Sequence, residues 1–453
     1  RTRGFGVGAR WRTMKFISTR VGSATGKTPV TFRQAVFSGL PADGGLYVPA
    51  EQPDLSARIA GFSEHTSFQE LAADVVEQLI GDELSSEAVR RVCERAFTFE
   101  PTLRQLEEKL TLLELFHGPT CAFKDFGAAF LASVMEEFLV RESRRAVILV
   151  ATSGDTGSAV ARAFRGKANI EVVILYPAGR VSALQEQQLT TVGGNVTALE
   201  IRGSFDDCQR LVKQSFVDSE LRGRLSLSSA NSINLGRLLP QALYYIYGCL
   251  RLGRGTDEKR MICVPSGNFG NLTAGVYAWQ WGMRVDGFIA ATNINDVVPE
   301  YLVTGEFRPR RSLKTISNAM DVGYPSNFER LVIVFEGSAK KMQRWIKGVV
   351  ITDQETRDTM RQVYQDSGIL IDPHTAVGVL ASRRYFEDSR YSGQILSLAT
   401  AHPGKFVDIV EQATGTAPEL PATLKEALAK KKEAIALKPT LDLLREFLLD
   451  RFA

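Results

Sequence analysis

No window of this 453-residue chain approaches the uninterrupted apolar run of about twenty residues that a membrane span needs, so no membrane role is expected. Histidine is scarce, with four residues in all; neither His117 nor His374 sits at a metal-like spacing, and no metal is assigned. The five cysteines, Cys93, Cys121, Cys208, Cys249 and Cys263, are odd in number and lack paired spacing. In a chain too large to need disulfide staples they read as reduced thiols of a cytosol or organelle interior. Acid is missing from residues 1–13, where Arg1, Arg3, Arg10 and Arg12 generate the whole formal charge of +4. The rest of the chain is neutral and gives no electrostatic case for nucleic acid. Internal repeats and low-complexity tracts are absent.

What remains is an ordinary globular composition, 44% hydrophobic and 23% charged, in a chain long enough for two or three domains. Residues 1–13 read as a leader to be set apart: a transit-peptide remnant, a truncated precursor, an upstream translated fragment or an expression scar. From Thr31 to about Pro101 the pattern is mainly helical, as in Ser67–Gly81, where a serine cap has Glu70 at the capping-box position. From Thr111 onward, β-branched runs such as AVILVAT, EVVILY (Glu171–Tyr176), VTALEI (Val196–Ile201), MICVP and DGFIAAT (Asp286–Thr292) alternate with helical segments. That alternation predicts an α/β, doubly wound class with mostly parallel sheets covered on both faces. Pro421–Pro439 reads as a charged helix whose Lys430, Lys431 and Lys432 form a solvated face.

Three segments carry chemistry. Lys124, in FHGPTCAFKDFG, stands between Phe123 and Asp125 at a helix start; held partly desolvated, such an amine can form a Schiff base, although a Lys-Asp pair alone also reads as a solvated lysine beside a capping aspartate. Two glycine-bearing strand-to-helix turns, Thr152–Gly157 and Ser266–Asn271, are candidate anion cradles, because close backbone amides and a helix N-terminus favour negative charge. Neither has the spacing of a Rossmann or Walker A fingerprint. Cys121, three residues before Lys124, invites a nucleophile reading, but with His117 as its nearest histidine it reads better as a small side chain lining the pocket.

These segments fall within a longer ordered set: KFISTR (Lys15–Arg20), DGGLYVP (Asp43–Pro49), ELFHGPTCAFKDFG (Glu114–Gly127), ATSGDTGSA (Ala151–Ala159), GRVSALQEQQLTT (Gly179–Thr191), NSINLGRLLPQ (Asn231–Gln241), PSGNFGN (Pro265–Asn271), DPHTAVG (Asp372–Gly378) and ATAHPGKF (Ala399–Phe406). In this order, over nearly the whole chain, the text resembles the threonine synthase family of fold-type II enzymes dependent on pyridoxal 5'-phosphate (PLP). The resemblance implies two doubly wound, mostly parallel sheet domains plus an N-terminal helical domain. The divisions expected are 14–105 for the helical domain, 106–127 with 231–415 for the large PLP domain, 128–230 for a smaller inserted domain, and 416–453 for a helical tail.

By the same resemblance, Lys124 carries PLP and then serves as general acid and base. The amides of Gly267, Asn268, Phe269, Gly270 and Asn271 hold the cofactor phosphate, and the Thr400 hydroxyl faces the pyridine nitrogen. Thr152, Ser153, Gly154, Asp155 and Thr156 hold the substrate carboxylate, with Asp155 awkward there unless it points away, caps the helix or is protonated. Ser232 and Arg237, helped by Asn268, hold a substrate phosphate; Arg180 and Ser182 are further candidates that read equally as a surface arginine and a helix cap. His117 shapes the pocket; taken alone, Thr400 and His402 also read as ordinary loop hydrogen bonding, and it is their family position that favours a functional role.

The implied reaction converts O-phospho-L-homoserine and water to L-threonine and phosphate by γ-elimination and β-addition, in a cytoplasmic monomer or homodimer, or in a plastid or mitochondrion if residues 1–13 are a transit remnant. Two departures keep alternatives open. Cys121 replaces a larger residue, and Leu235 stands where the family often has tryptophan; altered water access would give a phospho-lyase that releases 2-oxobutyrate. A catalytically retired member acting as a binding or signalling protein is the alternative of another class.

Overall fold

Apolar runs that show no polar alternation become strands covered on both sides. Ala146–Ala151 and Gly287–Thr292 are buried at every position, so neither face needed polar residues. The computed structural model describes residues 14–20, 28–152, 154–253 and 259–453; the leader expected at 1–13, and Ser153, lie outside the described residues. Among them the strands form two large sheets and one antiparallel pair.

The larger sheet has six strands, in the spatial order Ile346–Val350, Gly287–Thr292, Arg260–Pro265, Gln394–Ala399, Leu110–Glu114 and Thr102–Glu107. All pairings are parallel except the last. The smaller sheet has five parallel strands, ordered Ile435–Leu437, Val196–Ile201, Ile170–Pro177, Ala146–Ala151 and Leu227–Ser229. Each glycine-bearing turn leaves the carboxyl end of a strand, one in each sheet, where ligands bind in open α/β folds.

The N-terminal segment is mainly helical, and the Ser67 cap with its reciprocal Glu70 bond forms at the start of Phe68–Ile80. It also holds an antiparallel strand pair, Phe16–Ser18 with Tyr47–Pro49. Its aromatic face packs on the helix Lys124–Glu142: Phe126 meets Phe68 edge-on at 5.5 Å and Phe99 at 4.7 Å. Two residues beyond Lys124, Phe126 is thus fixed by packing and carries the lysine's backbone with it.

Three features differ from the sequence expectation. Thr102–Glu107 pairs with Leu110–Glu114, so residues through 105 do not all belong to a helical domain. The division at 127/128 falls inside the continuous helix Lys124–Glu142. Residues 416–453 are not only helical: after the helix Ala422–Ala429, Ile435–Leu437 adds a parallel strand to Val196–Ile201. The reason lies in Lys432, expected on a solvated face, whose ammonium meets Glu186 at 2.6 Å and Glu200 at 3.1 Å. Those contacts draw the segment onto the sheet edge, which a helix could not satisfy.

Candidate active site

Lys124 opens its helix between the two sheets. Its side chain is 18% exposed, with Nζ 3.6 Å from Asp155 Oδ2 and 5.7 Å from the Phe123 ring centroid. Burial lowers its basicity; Asp155 opposes that shift, and Lys405 and Arg237 add to it.

Asp155, the first residue of the helix Asp155–Phe164, is buried and accepts 3.1 Å from Gln185 Nε2. Lys405 Nζ lies 2.8 Å from its Oδ1. Burial works against the ionised carboxylate, but Lys405 and then Lys124 override it and hold the pKa far below the ordinary range. Asp155 is therefore an anion already matched by a buried cation, which removes the repulsion a free carboxylate would exert on a substrate anion. Lys405 was not singled out in the sequence, although it stands in ATAHPGKF.

The turn at Ser266–Phe269 is built to receive an anion. The backbone N–H groups of Gly267, Asn268, Phe269, Gly270 and Asn271 have no acceptor among the described residues, and the helix Gly270–Gln280 follows directly. A Cβ on Gly267 would lie 2.7 Å from both the Ala319 carbonyl oxygen and Met320 Cα, so glycine is required for this approach. The Asn271 side chain is spent inside the turn, accepting from Ser266 Oγ at 3.0 Å and donating to the Pro265 carbonyl at 2.8 Å. Thr400 is buried at the end of Gln394–Ala399, and its carbonyl accepts from Phe123 N–H at 2.9 Å, tying it to the lysine's loop.

In the second turn the Thr152 hydroxyl is engaged within its own loop. It accepts from the N–H of Gly154 at 3.0 Å and of Gly157 at 2.9 Å, folding its own loop. The N–H groups of Asp155 and Thr156 remain without acceptors among the described residues.

Ser232 and Asn268 come together, with Asn268 Nδ2 donating 2.9 Å to Ser232 Oγ and Asn268 Oδ1 accepting from Ser326 N–H at 2.6 Å. Arg237 is 2% exposed; Nη1 donates to the Ala230 carbonyl at 2.9 Å and Nε has no partner. No carboxylate pairs with it among the described residues, and burial pushes its pKa down to about 10. Asp125 opposes that shift without pairing with the guanidinium directly, so a buried guanidinium with an open Nε can receive an anion. The helix Lys124–Glu142 packs tightly against this loop, since a Cβ at Gly127 would lie 2.6 Å from the Arg237 carbonyl oxygen.

Several candidates take supporting roles. Ser182 caps Ala183–Thr190 and Arg180 is exposed. His117 pairs with Glu114 at 2.9 Å. His402 Nδ1 accepts from Gly404 N–H at 3.0 Å, capping the turn Pro403–Lys405. His374 donates through Nδ1 to Asp372 at 2.6 Å and accepts from Ala319 N–H at 3.1 Å through Nε2, bracing the segment against which Gly267 packs. The Cys121 thiol is buried, its pKa raised, 3.5 Å from Thr423 Oγ1, and is a lining group.

The donor set fits a phosphorylated aldehyde cofactor: an amine, five open N–H groups in a cradle that a Cβ would fill, and a separate buried arginine with no directly paired carboxylate. Residues 98–401 match the family model described as pyridoxal-phosphate dependent enzyme, 15–97 that of the threonine synthase N terminus, and 375–448 that of the threonine synthase C-terminal region. The chain is 42% identical to threonine synthase of Escherichia coli over 88% of its length and 91% of the relative's. It is 41% identical to that of Serratia marcescens, covering 93% and 96%. The crystal structure of PLP-bound threonine synthase from Brucella melitensis superposes with a TM-score of 0.90 at 38% identity, over 96% of this chain and 99% of that one. With its open cradle and its buried amine and arginine in place, this chain belongs to the threonine synthase family of pyridoxal-phosphate-dependent enzymes.

Proposed function

We propose that the chain is a threonine synthase, converting O-phospho-L-homoserine and water to L-threonine and phosphate. The observation that carries this reading is the presence of two candidate anion sites beside one desolvated lysine: the five open N–H groups at 267–271 and the buried Arg237, which has an unpartnered Nε and no directly paired carboxylate among the described residues. One phosphate belongs to the cofactor and the other to the substrate. Lys124 would hold PLP through Nζ, the N–H groups of Gly267 to Asn271 would take its phosphate, and Thr400 would face the ring nitrogen. When bound, PLP supplies an electron sink for negative charge developing beside the amino-bearing carbon.

The protein's own groups do the rest. Lys124 Nζ takes the proton from Cα and moves protons at Cβ and Cγ. Arg237, Ser232 and Asn268 grip the substrate phosphate and stabilise it as the Cγ–O bond breaks. The N–H groups of Asp155 and Thr156 orient the substrate carboxylate, and water then adds at Cβ. All of these groups come from one chain, so the site is complete in a monomer and equally in each half of a homodimer. No helix among the described residues is long and apolar enough to cross a membrane.

Product analysis with O-phosphohomoserine tests the reading. Threonine and phosphate in equal amounts are expected. Release of 2-oxobutyrate and ammonia would instead assign a phospho-lyase, and absence of both a PLP absorption band and turnover would assign a retired family member.

A further inference from the structure

Lys405 is a buried cation with two acceptors, one on each segment that flanks Lys124. Its side chain is 1% exposed; Nζ lies 2.8 Å from Asp155 Oδ1 and donates to the Thr120 carbonyl at 3.0 Å. Thr120 in turn donates to Asp125 through its N–H at 2.8 Å and its hydroxyl at 2.6 Å. One ammonium therefore joins the loop before Lys124 and the helix carrying Asp155 to the turn Pro403–Lys405.

We propose that Lys405 is a positioning residue that takes Asp155 as its own counter-ion, leaving the Lys124 amine free to act as a neutral nucleophile and base. A lone carboxylate facing Lys124 would form a simple ion pair, and an ammonium can neither attack an aldehyde nor accept a proton. Here the carboxylate sits closer to Lys405 than to Lys124, whose distance is 3.6 Å. The charged groups around the Lys124 amine are Asp155, Lys405 and Arg237, with Asp125 facing Lys405 and Arg237 from behind. The uncharged neighbours are the Phe123 ring and the Cys121 thiol, the latter beside Lys405. Burial, with the charges of Lys405 and Arg237, favours the neutral amine against the one carboxylate in contact with it, and removing Lys405 leaves Asp155 to pair with Lys124 alone.

The inference rests on Lys124 being the reacting lysine, and its test uses no substrate. Cofactor-free protein is treated with acetic anhydride across a pH series, and acetylation at Lys124 is followed by peptide mass spectrometry. In the wild type the midpoint for Lys124 is expected below that of exposed lysines. Lys405→Gln should raise it by about one pH unit or more, while Lys405→Arg should keep it low. In the loaded enzyme, where the Lys124 amine is released once substrate binds, the acid limb of kcat should move upward in Lys405→Gln, with activity recovered at higher pH. An unchanged or lowered midpoint in Lys405→Gln overturns the proposal. If that variant fails to fold, the wild-type midpoint decides: a value at or above that of exposed lysines overturns it equally. Because labelling and product analysis are independent, failure here leaves the threonine assignment standing, and failure there leaves the labelling result intact.

Discussion

Replacing Arg237 with methionine should separate stability from turnover. The guanidinium is 2% exposed, keeps one bond to the Ala230 carbonyl at 2.9 Å, and has an unpartnered Nε. Burial lowers its pKa from 12.5 to about 10, a difference on the order of 3 kcal/mol. Both values lie above neutrality, so the group is charged in folded and unfolded chains alike, and the whole difference weighs against the folded ligand-free state until the pH rises toward the folded value. Methionine relieves that burden at similar length, and the Ala230 carbonyl loses a donor at about 1 kcal/mol. Thermal melting of the ligand-free variant should therefore shift upward by a few degrees. Turnover should move the other way, because the charge-assisted bonds lost to the substrate phosphate are worth about 2–4 kcal/mol, or roughly a thirty- to thousand-fold fall in kcat/KM. PLP absorbance and affinity should be unaffected. A destabilised variant with near-normal kcat/KM, or one that loses PLP, would refute the assignment of Arg237 to the substrate phosphate.

Lys124→Ala should abolish both the PLP absorption band and turnover while leaving the circular dichroism intact; borohydride reduction of the wild type should place label on Lys124, and label elsewhere would contradict its role. His374→Leu removes the acceptor of Ala319 N–H, so PLP affinity by spectroscopic titration should weaken about tenfold while kcat at saturating PLP stays near normal; a fall in kcat alone would show that His374 does not act through the cradle. Asp125 is buried with its pKa raised to about 6 by desolvation, against the opposing bonds from Thr120. Its folded value lies above its unfolded one, so stability present below the unfolded pKa of about 4 is lost as pH rises through 6, by on the order of 3 kcal/mol. Asp125→Asn should melt higher than the wild type at neutral pH, with the gap closing in acid; a gap that does not change with pH would show that Asp125 titrates alike in the folded and unfolded chain and would refute the burial argument.

What could be read from the sequence was local. The strand of AVILVA is followed at once by glycines and a helical pattern, and the cap at Ser67 needs only Glu70 three residues on, so short-range rules suffice for both. Lys124 stood out for the same reason, through its immediate neighbours. What escaped were bonds between residues far apart: Lys405 meets Thr120 across a separation of 285 residues, and Lys432 meets Glu186 across 246. A lysine's spacing does not reveal whether its ammonium ends in water or beside a buried carboxylate. The same holds for Thr152, whose type suits a ligand contact and whose hydroxyl instead closes its own turn.

The cluster around the Lys124 amine brings together two buried cations, Lys405 and Arg237, and two carboxylates, Asp125 and Asp155. A fold selected for stability alone would not leave Arg237 unpaired or five consecutive N–H groups open, since buried polar groups without partners destabilise it. The open groups of the cradle and of Arg237, five N–H groups and one guanidinium Nε, are all donors. Ligands that complete this set must be anionic, and a phosphorylated cofactor with a substrate carrying both carboxylate and phosphate supplies three such groups. Asp155 fits the same logic from the opposite side, because Lys405 keeps its charge from competing with those ligands and from fixing Lys124 as an ammonium. The cradle, the arginine and the paired aspartate are thus parts of one electrostatic arrangement, incomplete until the anions arrive and selective for molecules that bring them in this geometry.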